Sequence, residues 1–85
     1  MTGVNFDAPA LLRKWPSVRN ERCTEGTSPY QLVDGTLEVC IRELMAKPPS
    51  TRHLYEILTA PQPPLVDAVM SGEQIIELAR LRDFL

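Results

Sequence analysis

Two stretches of the chain carry a helical repeat of apolar positions. Between Thr36 and Ala46, the residues Leu37, Cys40, Ile41, Leu44 and Met45 recur at i, i+3, i+4, i+7 and i+8. Glu38, Arg42 and Glu43 fall outside that stripe, and Glu38 precedes Arg42 in the favourable i, i+4 order. Asp34 or Thr36 can cap the start, and Pro48-Pro49 stops the end. The second repeat lies in Ser71–Phe84, where Ile75, Leu78, Ala79, Leu81 and Leu85 form a stripe. Ser71 followed by Gln74 matches a capping box, and Glu73 sits in the first turn, where the helix dipole favours it. Ile76 and Phe84 lie off the stripe, so that either the helix is buried on a wide arc or these two side chains face another surface.

The pattern from Arg52 to Ser71 decides the fold class. It consists of two short apolar runs joined by Pro61-Gln62-Pro63-Pro64. As strands, Arg52–Thr59 places His53, Tyr55, Ile57 and Thr59 on one face and Leu54, Glu56 and Leu58 on the other, and Leu65–Met70 also alternates. As helices, Ser50 would cap the first run and Pro64 would open the second. The shortness of the runs, the prolines around them and the direct passage of Val69-Met70 into the capped helix favour strands. With Tyr30–Val33 as a further strand ending at Asp34-Gly35, the expected order is β-α-β-β-α. This is an α+β fold, a three-stranded sheet with two helices on one face, and a small all-α bundle is the alternative. The proline corner reads as a rigid turn rather than as a PxxP ligand.

Residues 1–29 show no sustained period and contain Gly3, Pro9, Pro16, Gly26 and Pro29. They read as a flexible, largely irregular arm attached to a single small domain of residues 30–85. A helical turn over Ala8–Trp15, with Asp7 as its cap and Pro9 in its first turn, would gather Leu11, Leu12 and Trp15. Trp15 then either packs onto the body or anchors a partner.

Composition narrows the class. Eighty-five residues, 44% apolar and 24% charged, fit one globular domain with a thin stability margin. The net charge of -2 argues against general nucleic-acid binding. The arm nevertheless carries Arg13, Lys14, Arg19 and Arg22 against three acids, which leaves a regulatory nucleic-acid contact through those four residues, with Trp15 stacking, as an alternative. Two cysteines, no signal-like segment and no apolar run of spanning length point to the cytoplasm, with no membrane contact.

Chemistry-bearing residues are sparse. His53 is the sole histidine, and an enzyme reading would have to combine it with Cys40 or Asp34. Cys40 reads as core packing, and Cys23 as an exposed thiol with modest reactivity at most. Cys23, Cys40 and His53 lack metal-ligand spacing, and no nucleotide-binding glycine loop is present, so no metal or cofactor is expected. The expectation is a non-catalytic protein-protein interaction or regulatory module that self-associates, most simply as a homodimer, or that binds another protein. Trp15, Tyr55, Ile57, Ile76 and Phe84 are its interface candidates, with Tyr55 and Ile57 placed on the uncovered face of the sheet.

Overall fold

A computed structural model describes residues 4–23, 25–63 and 65–84. Pro64 and Leu85, invoked above as a helix start and a stripe residue, lie outside the described residues. The chain is α+β. Its elements are β1 (Pro9–Lys14), β2 (Ser17–Val18), β3 (Glu21–Arg22), β4 (Tyr30–Thr36), α1 (Leu37–Met45), a 3-10 helix over Pro49–Leu54, β5 (Tyr55–Thr59), β6 (Val69–Ser71) and α2 (Gly72–Phe84). The order expected for residues 30–85 is present as β4-α1-β5-β6-α2.

The expected three strands are joined by a fourth, which comes from the presumed arm. The sheet runs β4-β1-β5-β6 and is antiparallel throughout. Residues 9–14 therefore form neither an irregular tether nor a helical turn, but an interior strand. The reason is non-local. Alternation buries Ala10 and Leu12 under the helices, with Leu12 opposite Val33 on one side and Ile57 on the other. Pro9 is tolerated because it begins the strand, and its carbonyl accepts the Thr59 hydroxyl at 2.9 Å.

The segment Arg52–Thr59 also departs from its expected boundary. Pro49–Leu54 winds into a 3-10 helix, and the strand begins only at Tyr55. The helical alternative for this run, and with it the all-α bundle, fails: Ser50 lies inside the 3-10 turn rather than capping it, and Ile57 and Leu58 lie in the strand. A proline starts the turn, and the β-rich Tyr55-Glu56-Ile57-Leu58-Thr59 follows as strand. Likewise Leu65 to Asp67 stays outside the ladder; the Ala68 carbonyl accepts from the Thr59 N–H at 3.0 Å, and the paired residues of β6 are Val69, Met70 and Ser71. The chain reverses beside the proline corner, where Gln62 and Val66 exchange backbone hydrogen bonds. The Gln62 side chain reaches across to Asn5, accepting from its backbone N–H at 2.7 Å and donating to its carbonyl at 3.1 Å.

The helices form as their caps and stripes dictate. Thr36 Oγ1 accepts from Val39 N at 3.2 Å, a cap worth about 1 kcal/mol. The next free amides of α1, those of Leu37 and Glu38, donate to the carbonyls of Ala8 and Phe6, so the segment before β1 closes the helix start. In α2 the capping box forms in both directions, with Ser71 N donating to Gln74 Oε1 at 2.9 Å and Gln74 N to Ser71 Oγ at 3.4 Å. Glu38 ties the helices together by accepting from Arg82 at 2.8 Å, and it also pairs with Arg42. The core between sheet and helices gathers Leu12, Leu37, Cys40, Ile41, Leu44, Ile57, Met70 and Ile75, each fully buried. Burial contributes roughly 2 kcal/mol for each large aliphatic side chain.

One contact fixes the start of α2 against the 3-10 helix. A Cβ at Gly72 would stand 2.4 Å from the Arg52 carbonyl oxygen and 2.9 Å from its carbon. Gly72→Ala is expected to destabilise the fold by about 1–3 kcal/mol through this backbone clash. Gly35→Ala, whose nearest neighbours would be Val39 carbons at 3.7 Å, should shift stability by less than about 0.5 kcal/mol. Urea unfolding of the two variants beside the wild type checks the contrast, and equal effects would contradict it.

Candidate functional site

Both helices pack on the face of the sheet that carries Ala10, Leu12, Ile57 and Met70. The opposite face has no helix over it, and strand alternation places Leu11, Arg13, Glu56, Leu58 and Val69 there. This face divides into two zones.

The first zone is polar and closed. Glu56 is only 5% exposed although it lies on the helix-free side. Arg13, its direct cross-strand neighbour, forms an ion pair with one carboxylate oxygen. The Trp15 indole N–H donates to the other at 2.9 Å. Arg22 stacks its guanidinium 5.9 Å from the centre of the Trp15 ring. Arg22 itself is held by the backbone, donating to the His53 carbonyl at 2.6 Å and to the Tyr55 carbonyl at 3.2 Å. The carboxylate is thus enclosed by groups that complement it, as a buried charge requires. Through these bonds it ties β1 to β5 at this end of the sheet.

The β2–β3 hairpin braces this cluster. Arg19 and Asn20 both take left-handed conformations, with φ of 54° and 63°, the two-residue turn whose twist suits a hairpin. Asn20 donates its side-chain amide to the Ser50 carbonyl at 2.8 Å, and its own carbonyl accepts the His53 Nε2–H.

The second zone is apolar and open. Pro9, Leu11, Leu58, Ala68 and Val69 line most of a shallow hollow of about 380 Å³, with Thr59 and Asp34, the cross-strand neighbour of Leu11, as its polar side chains. Val69 is 52% exposed.

The expected site residues distribute unevenly over this frame. Trp15 packs onto the body through its indole bond and stands at the polar end of the open face. Tyr55 and Ile57 are a correction. Their alternation against Glu56 and Leu58 is as expected, but they point into the core beneath the helices, not to the uncovered side. The cause is that β5 lies inside the sheet, where the face richer in large apolar groups is the one the helices cover. Ile76 is half-buried on α2, and Phe84 stands 90% exposed at its end. The four basic residues do not form one patch. Arg13 is paired with Glu56 and Arg22 with carbonyls and Trp15. Lys14 turns to the helix side, 5.8 Å from the centre of the Tyr55 ring, and Arg19 is exposed at the hairpin turn.

His53 lies in the 3-10 helix, exposed, and its hydrogen-bond partner is Asn20 rather than Cys40 or Asp34. Cys40 is buried in α1, and burial pushes its thiol up to about 11, with Asp34 and Glu43 adding to the push. Cys23 and Cys40 are both free. Among the described residues, no group of three or more His, Cys, Asp or Glu is placed to hold a metal ion. The residue that the sequence reading passed over is Glu56. Its signal is an acid within the apolar run Tyr55–Leu58, but its partner Arg13 lies 43 positions away.

Two outcomes follow from these geometries. Glu56→Ala leaves the part-buried Arg13 without its counter-ion and should cost about 2 kcal/mol, whereas Glu56→Gln, which keeps an acceptor for Trp15, should cost roughly half as much. Urea titration followed by fluorescence of Trp15, the only tryptophan, reads both. For Cys40, the folded-state value near 11 lies above the ordinary 9.0. Its contribution to stability is therefore complete below pH 9 and lost as pH rises towards 11. The stability difference between wild type and Cys40→Ala should shrink across that interval, and a constant difference would contradict the burial of the thiol.

No protein-family model matches the chain, and no curated protein or solved structure is detectably similar to it.

Proposed function

We propose that this protein is a non-catalytic interaction module that self-associates through the helix-free face of its sheet. The observation that carries the reading is the apolar hollow formed by Pro9, Leu11, Leu58, Ala68 and Val69. A sheet covered on one side only normally alternates apolar-in with polar-out. Here the outward positions of β1, β5 and β6 at this end are Leu11, Leu58 and Val69, which meet across the strands as Leu11 to Leu58 and Leu58 to Val69. Contiguous apolar side chains on an outer face favour association. The hollow has a single ionisable group, Asp34, at its edge, which suits an isologous contact in which two copies present the same patch.

The polar cluster beside the hollow supports the same reading. Arg13, Trp15 and Glu56 hold β1 and β5 in register where the surface must stay flat enough to be docked against. The two free cysteines suit a reducing compartment, and we place the protein in the cytoplasm on that basis. Among the described residues, no helix is long and apolar enough to cross a membrane.

Sedimentation velocity across a micromolar concentration series tests the proposal. The wild type should pass from monomer to dimer, and Val69→Glu should remain monomeric at every concentration with an unchanged urea midpoint. A wild type that stays monomeric throughout, or a variant that still dimerises, would remove the sheet face as the contact.

A further inference from the structure

A second cleft lies between α2 and the segment that precedes β6, with a volume of about 410 Å³, and shares no lining residue with the open-face hollow. Its floor is apolar, made by Leu78 and Leu81 on the helix and Leu65 opposite them. Leu65 is 52% exposed, held over the cleft by the tight turn in which its N–H donates to the Gln62 carbonyl at 3.1 Å. The rim is acidic, formed by Asp67, Glu73 and Glu77.

The charges on this rim are largely unneutralised. Asp67 accepts from the Gln74 side-chain amide at 2.7 Å, a neutral partner that positions the carboxylate without cancelling it. Glu77 pairs with Arg80 at 2.7 Å, but both side chains are 69% exposed, so the pair is weak and readily exchanged. Glu73 forms no ion pair among the described residues. Three carboxylates thus face one guanidinium. An apolar floor beneath an acidic rim is complementary to one kind of partner surface, an apolar stripe flanked by cations.

We propose that this cleft is a docking groove for a basic amphipathic helix, independent of the self-association surface. The spacing favours a helix over an extended segment. Glu73 and Glu77 lie one helical turn apart along α2, about 6 Å, which matches lysines or arginines placed at i and i+4 on a partner helix. Leu78 and Leu81 are three residues apart on the same side of α2, and with Leu65 they offer an apolar strip for the partner's i, i+3 and i+4 anchors. Negative charge near the first turn of α2 is also locally stable, because the helix dipole favours Glu73 there. The acids therefore cost the fold little and remain available to a cation.

The probe is a synthetic peptide that repeats leucine and lysine at helical spacing, titrated into the isotopically labelled 85-residue chain. A peptide of the same pattern with glutamate in place of lysine is the control. The lysine peptide should bind and shift the resonances of Leu65, Leu78 and Leu81, and the glutamate peptide should not. Glu73→Gln combined with Glu77→Lys should weaken binding about tenfold, and added salt should weaken binding to the wild type. Neutralising Glu25 and Glu43, exposed acids outside the cleft, should leave the affinity unchanged. Shifts that map elsewhere, equal binding by the rim variant, or an equal loss on neutralising Glu25 and Glu43 would each overturn the proposal. The resonance map and the lysine-against-glutamate peptide comparison are read on the wild type, so these two arms do not depend on how any variant folds.

Discussion

The packing of Leu12 governs the rest of this fold. It lies at the middle of β1, fully buried, between Val33 of β4 and Ile57 of β5 and beneath the two helices. Because β4 and β5 each pair with β1 rather than with each other, the sheet exists only if β1 is inserted between them. The dependence extends upstream, since the carbonyls of Phe6 and Ala8 receive the first free amides of α1. A segment of fewer than twenty residues at the start of the chain thus supplies an interior strand and closes the start of a helix. This raises the sequence separation of the native contacts, and folding must wait for that closure.

Covering one face is all that two helices in a chain of this length can do, and this constraint produces both candidate surfaces. The helix-free side must either be polar or be sealed by something else. At one end it is sealed locally, by Arg13 and Trp15 closing over Glu56, with Arg22 stacked on the tryptophan. At the other end Leu11 and Leu58 are half-buried and Val69 is exposed, with no helix over them. The acidic cleft along α2 arises in a different way. There Leu65, whose N–H donates to the Gln62 carbonyl, lies across the cleft from Leu78 and Leu81, and the rim acids Glu73 and Glu77 are exposed.

The two helices were legible in the sequence because their determinants are local. Caps at Thr36 and Ser71, the reciprocal Gln74 bond and the 3.6-residue stripes all lie within one or two turns. The strand pair β5–β6 was legible in kind but not in extent. A proline at the first position favours the 3-10 turn over Pro49–Leu54, and the pairing of β6 with β5 begins only beyond Asp67. The interior strand β1 was not legible at all, because Asp7, Pro9 and the pair Leu11-Leu12 resemble a helix start as much as a strand. The contacts that decide between the two, such as Ala10 opposite Thr59, lie about fifty positions away. Of the interface candidates, Trp15 was legible as an aromatic that packs onto the body. Tyr55 and Ile57 were placed on the wrong side, since alternation tells which residues share a face but not which face is covered.

By itself, then, the sequence determined the class of the fold, the caps and stripes of α1 and α2, the reversal of the chain between Gln62 and Val66 and the two-face alternation of β5. These follow from backbone propensity and short-range periodicity. Only the tertiary structure decided that β1 is interior, that Glu56 finds Arg13 and Trp15, that Ile57 is core, and that Leu11, Leu58 and Val69 form one outward surface. Each of these depends on pairings between distant segments, whose free energy comes from burial and complementary charge rather than from any local preference.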